Sequence, residues 1–123
     1  MKLFYMRSSL IICILLCSIF LSGCGSSTAP SAPTGVTATA GDGQVTISWL
    51  PVAGATYYNI YWSTYSVLNP PTSGTLISDV TSSPYIQPGL FNGTTYYYVV
   101  VAVNGDGTSA PSLEKSATPT SSP

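Results

Sequence analysis

The chain has 123 residues, of which 45% are hydrophobic and only 6% charged. Three basic residues stand against four acidic ones and there is no histidine. That excludes the basic patch nucleic acid requires and removes the commonest general base of enzymes.

The first charges, Lys2 and Arg7, are the only ones before Asp42. Residues 10–21 (LIICILLCSIFL) form a run of twelve, apolar apart from Cys13, Cys17 and Ser18. A membrane-crossing helix needs roughly 20 apolar residues. A basic start, a short apolar run and small residues behind it instead mark residues 1–23 as a secretory signal peptide. The small residues end in Leu21-Ser22-Gly23-Cys24, which resembles the lipobox of bacterial lipoproteins at all four positions. The resemblance implies cleavage between Gly23 and Cys24, a diacylglyceryl group on the Cys24 thiol and an acylated new amino end. The implied partner is a membrane, since two or more chains anchor stably at about 0.8 kcal/mol per buried methylene. It also implies the cell envelope as the location. Gly25, where an Asp would retain the protein at an inner membrane, points to the outer membrane if the organism has two.

With Cys13 and Cys17 in the leader and Cys24 alkylated, nothing remains for a disulfide, a structural zinc or a catalytic thiol, and no cofactor is expected. Residues 25–33 (GSSTAPSAP) contain only Gly, Ser, Thr, Ala and Pro. Residues 24–33 therefore read as lipidated cysteine plus flexible linker, reaching roughly 30 Å when extended. Residues 119–123 read as a polar tail.

Between them, residues 34–118 are one small domain by length. Its single lysine against four carboxylates leaves a net charge of −3. Residues 44–49 alternate, with Val45, Ile47 and Trp49 on one side and Thr46 and Ser48 on the other, the period of a half-buried strand. Gly41-Asp42-Gly43 turns the chain from a first strand at 35–40, and Pro51 ends the second. A third strand at 56–63 is rich in Tyr, Ile and Trp. Shorter ones follow at 75–80 and 84–87. Residues 95–103, nearly all β-branched or aromatic, read as a central strand. Asn104-Gly105-Asp106-Gly107 turns the chain into an edge strand at 112–118. Seven short strands without helical periodicity predict an all-β sandwich of two antiparallel sheets.

The domain resembles the fibronectin type III family, an immunoglobulin-like β-sandwich. The matching residues are Ala32-Pro33 and Val36, Val45-Thr46-Ile47-Ser48-Trp49 with Pro51, then Tyr58, Ile60 and Trp62. Leu90-Phe91-Asn92-Gly93-Thr94-Thr95-Tyr96 follows, then Val100, Ala102, Val103 and Asn104. Trp49 lies on the second strand, as in that family, and the cysteine pair of antibody-type domains is absent. Leu90 to Tyr96 resembles the family's tyrosine corner, in which the Tyr96 hydroxyl bonds backbone a few residues upstream. Trp49, Tyr58, Ile60, Leu90 and Tyr96 are the expected structural core.

Candidate chemistry is sparse. The carboxylates are scattered, and Asp42 and Asp106 sit between glycines, where Asp favours turns and falls short of the oxygen count calcium needs. Neither catalytic nor metal residues are assigned. The alternation that buries Tyr58 and Tyr98 turns Tyr57, Asn59 and Tyr61 outward, with Tyr97, Val99, Val101 and Val103 beside them. The candidate binding face is Tyr57, Tyr61 and Tyr97, tyrosines suited to a protein interface or to stacking on sugar rings, with the 67–74 loop covering part of it. The turn before the last strand lacks the Arg-Gly-Asp of the family's integrin-binding members. The expectation is a surface lipoprotein whose non-catalytic domain serves adhesion, spacing or protein interaction, with an envelope protein or polysaccharide as ligand. A carbohydrate-binding module is the alternative, and an accessory remnant of a larger extracellular enzyme the more distant one.

Overall fold

A computed structural model describes residues 28–66 and 73–123. The expected signal peptide, the expected cleavage and lipidation point at Gly23–Cys24 and most of the 67–74 loop lie outside the described residues. The β-favouring segments fold as β1 (Thr37–Gly41), β2 (Gln44–Ser48), β3 (Tyr57–Ser63), β4 (Thr75–Val80), β5 (Tyr85–Gln87), β6 (Tyr96–Asn104), β7 (Gly107–Thr108) and β8 (Lys115–Ala117). One sheet has the order β1-β2-β5; the other has β4-β3-β6, with β7 and β8 both paired to the free side of β6. All pairings are antiparallel. This is the two-sheet sandwich the alternation predicts, with no helix among the described residues.

The two inner faces make the core. Val45, Ile47 and Trp49 from the first sheet meet Tyr58, Ile60, Tyr96, Tyr98, Val100 and Ala102 from the second, all buried. The Trp49 and Tyr58 rings tilt at 56° with centroids 5.1 Å apart, and Trp62 and Tyr96 at 58° and 5.7 Å, the tilted geometry that ring quadrupoles favour. Leu90 is half-buried and packs on the edge of this core. The Tyr96 hydroxyl accepts the Phe91 N–H at 3.0 Å, as a tyrosine corner should, and Gly93 takes the left-handed φ of 86° the turn requires. At the other end of the core the Tyr58 hydroxyl accepts the Val52 N–H at 2.8 Å.

The last strand differs from expectation. Instead of one edge strand at 112–118, two short pieces flank residues 109–114. Pro111 has no N–H for a ladder, and buried Ser109 and Ser112 take over the pairing. Their backbone N–H groups donate to the Ala102 and Val100 carbonyls at 2.8 and 2.9 Å. Their hydroxyls accept the Ala102 and Val100 N–H groups, each at 2.9 Å. The β6 backbone is thus satisfied across a gap in the strand beside it.

The flanking segments also depart from expectation. Of the expected flexible linker, residues 28–33 lie against the domain: Pro30 and Pro33 are buried, and Asn104 Nδ2 donates to the Thr28 carbonyl at 3.1 Å. At the other end Pro119 is fully buried, its carbonyl accepts the Gly93 N–H at 2.8 Å, and the Thr120 N–H donates to Gly41 at 3.1 Å. Rigid proline rings dock at little entropic cost, which a composition read as linker does not reveal. The two ends sit at opposite poles. Thr37 pairs with Ser48 and Tyr57 with Val103, so the incoming segment shares an upper pole with loops 50–56, 81–84 and 104–106. The lower pole holds the 42–43 turn, loop 88–95 and residues 118–120.

Candidate functional site

The outer face of β3 and β6 carries the expected tyrosines. In register, Tyr57 faces Val103, Asn59 faces Val101, Tyr61 faces Val99 and Ser63 faces Tyr97. Tyr97 is therefore the diagonal neighbour of Tyr61, about 7–8 Å away between backbones and within reach of aromatic side chains. Tyr57 is separated from Tyr61 by the Asn59–Val101 row. The structure brings two of the three tyrosines together and leaves the third one row apart.

This face is less open than alternation suggests. Tyr57, Asn59, Tyr61 and Tyr97 are half-buried rather than exposed. Val99, Val101 and Val103 point outward yet retain only 0%, 1% and 7% of their accessible surface. Asn59 is also committed, its Oδ1 accepting the Asp79 N–H at 3.3 Å. That contact belongs to a bulge where Tyr58 pairs with Val80 but Ile60 with Ile77, and Asp79 adopts φ 60°, a conformation Asp tolerates better than most residues. A bulge and a carboxylate on an edge strand discourage pairing with other chains. Ser66, just past β3, crosses β6 to donate to both Glu114 carboxylate oxygens at 3.1 and 3.0 Å. Glu114 continues the outward side of Ser116, which pairs with Tyr97, so the Ser66–Glu114 contact lies beside the Tyr97 end.

Several polar residues that the sequence did not single out hold the fold. Gln87 Oε1 accepts the Tyr98 hydroxyl at 2.8 Å in a buried hydrogen bond between the two sheets. Burial, and secondarily the neighbouring Tyr96, pushes the Tyr98 phenol above its ordinary 10.0. Asn104 Oδ1 accepts the Asp106 and Gly107 N–H groups at 2.8 and 3.1 Å, while its Nδ2 also reaches the Gly54 carbonyl at 3.2 Å. An Asn ahead of Gly-Asp-Gly signals such a turn, but not its hold on loop 50–56. Asn92 links Asp42 to Gly43, donating at 2.9 Å and accepting at 2.8 Å. These contacts occupy both Gly-Asp-Gly turns in scaffolding. Among the described residues no three of His, Cys, Asp and Glu gather where they could hold a metal.

The tyrosine corner, the Trp immediately after the second strand and the strand order of the two sheets coincide with a family match. The fibronectin type III domain model matches residues 31–118. The chain belongs to the fibronectin type III family. A poly(3-hydroxybutyrate) depolymerase of Ralstonia pickettii is 38% identical over 99 residues, 79% of this chain but 18% of that protein. An amylopullulanase of Thermoanaerobacterium thermosulfurigenes is 38% identical over 77 residues, 63% of this chain and 4% of the relative. The chain thus spans less than a fifth of the length of these curated relatives. Among solved structures, an Fn3-like protein from Clostridium thermocellum superposes with a TM-score of 0.61 at 33% identity, covering 72% of this chain and 92% of that one. A fibronectin type III module is thus a unit recurring within larger enzymes, as in the beta-1,2-glucanase from Parabacteroides distasonis, where 80% of this chain matches 14% of the other at 25% identity and a TM-score of 0.65.

Proposed function

We propose that this fibronectin type III domain is a non-catalytic module held at the outside of a bacterial cell by lipid on Cys24, serving there as a spacer or protein-interaction unit. The observation that carries the non-catalytic part is that the family match spans a segment making up only a small share of its enzyme relatives. The engagement of both Gly-Asp-Gly turns in hydrogen bonds within and between loops supports the same reading. The membrane anchor and the envelope location, outer membrane in a two-membraned cell, rest on Leu21-Ser22-Gly23-Cys24 behind the apolar run. Membrane fractionation with mass spectrometry of the wild type and Cys24→Ser tests this. The wild type should sediment with membranes and carry lipid mass at residue 24, and the variant should do neither. An unmodified Cys24 in cytosol refutes it.

A second reading, carbohydrate binding, draws on the diagonal placement of Tyr61 and Tyr97. Sugar rings stack on exposed aromatic faces, and both rings are only half-buried. A glycan array hit that disappears in Tyr61→Ala supports this reading. An array without hits alongside a captured envelope protein supports the interaction module.

A further inference from the structure

We infer that the segment entering the domain determines which end of it faces the lipid: the upper pole, with loops 50–56, 81–84 and 104–106, lies against the membrane, and the lower pole points away. This rests on the lipid anchor at Cys24 proposed above.

Thr28 is already seated at the upper pole, its carbonyl held by Asn104 Nδ2 at 3.1 Å. The neighbouring Ala29 lies so close that a methyl added at Gly107 would meet its Cβ at 3.5 Å. Pro30 and Pro33 are buried, and the Leu50 N–H donates to Thr34 at 3.0 Å, so the segment is fastened along its length. Only three residues, 25–27, separate Cys24 from this seat. Four Cα steps reach at most about 14 Å. The nine residues of β6, which run from one pole to the other, span about 30 Å. Turning the lower pole to the membrane would lift Thr28 roughly 30 Å from the surface, about twice what the connection can span. The inverted orientation is therefore out of reach.

Charge does not set this orientation. The upper pole carries Asp79 and Asp106, whereas Lys115, the one cation among the described residues, is on β8 opposite Tyr98. Electrostatic adhesion to anionic lipid needs clustered lysines and arginines, so the preference should persist at high salt. A partner approaching from outside meets the lower pole first, including Phe91 with 77% of its surface exposed.

The test uses the full lipidated chain in vesicles containing lipids with a nitroxide on the headgroup. A fluorophore is placed on Gly105→Cys, where an added side chain meets open space, or on Thr120→Cys at the lower pole. Quenching should be several-fold stronger at 105 than at 120, in low and high salt alike. A Gly/Ser insert of about ten residues after Ser27, adding roughly 33 Å of reach, should bring the two signals together. Equal quenching without the insert, or stronger quenching at 120, overturns the orientation. Mass spectrometry of the same samples separates the failures. Lipidated Cys24 with equal quenching sinks the orientation alone, and unmodified Cys24 sinks the anchor and the orientation with it.

Discussion

The hydrogen bond from Tyr98 to Gln87 is the most exacting test of how the two sheets are joined. Tyr98 has none of its surface exposed and Gln87 only 7%, and the bond between them is 2.8 Å long. Gln87→Met keeps the length of the side chain and removes the acceptor, leaving a buried phenol unsatisfied. Tyr98→Phe does the converse and strands the amide. Each single change should cost about 1–3 kcal/mol, because a buried polar group then keeps its desolvation penalty. For a domain of this size that lowers the melting temperature by roughly 4–8 °C per kcal/mol. The double variant leaves neither group unsatisfied, so its cost should fall well below the sum of the two. Urea melts of the four proteins in the Cys24→Ser background measure this coupling. The same bond predicts alkaline behaviour. Burial favours the neutral phenol in the folded state, so above the ordinary value of 10.0 the unfolded chain binds fewer protons and stability falls as pH rises. The contribution is fully present below pH 10.0 and is lost as pH climbs through the raised folded value. Tyr98→Phe should make that decline shallower. Additive single costs, together with an unchanged alkaline slope, would refute the pairing.

Ser112→Ala should lower stability by about 1–3 kcal/mol, since the buried Val100 N–H loses its acceptor. Ser116→Ala on the exposed side of β8 should change it by less than about 0.5 kcal/mol, and urea midpoints compare the two. Trp49→Ala or Tyr96→Ala should cost roughly 3–5 kcal/mol, read as loss of the near-ultraviolet dichroism of packed aromatic rings. Asn104→Ala removes the bond to the Thr28 carbonyl and should release residues 28–33 before the rest of the fold, visible as faster amide exchange at Leu50, whose N–H bonds Thr34.

Much of the fold could be read from side-chain alternation, because alternation reports which side of a sheet a residue occupies. Val45, Ile47 and Trp49 face Tyr96, Tyr98, Val100 and Ala102 across the core as their spacing implies. Alternation does not report what lies above a face. Val99 and Val101 point outward as expected but are shut off from water, a burial that has no signal in their spacing. The gap in the last strand was hidden for a related reason. A hydroxyl standing in for a backbone partner, as Ser109 and Ser112 do, has no period to detect. Gln87 looks like an ordinary strand residue until the opposite sheet brings Tyr98 to it. The docked prolines were obscured by composition, because Ser, Thr, Ala and Pro describe a loose tether and a fastened one equally well.

The placement of the two chain ends also has a mechanical consequence. A pull applied upward through residue 28 and downward through residue 120 runs lengthwise along β1 and β8, each of which is bonded sideways to a neighbouring strand, β1 to β2 over five residue pairs and β8 to β6 over three. The hydrogen bonds of each ladder must then slide together, where peeling would break them one at a time. The proline-bearing clasps at Thr28 and Pro119 take the strain before either strand does, giving the module the build of a short tie that resists tension along its axis.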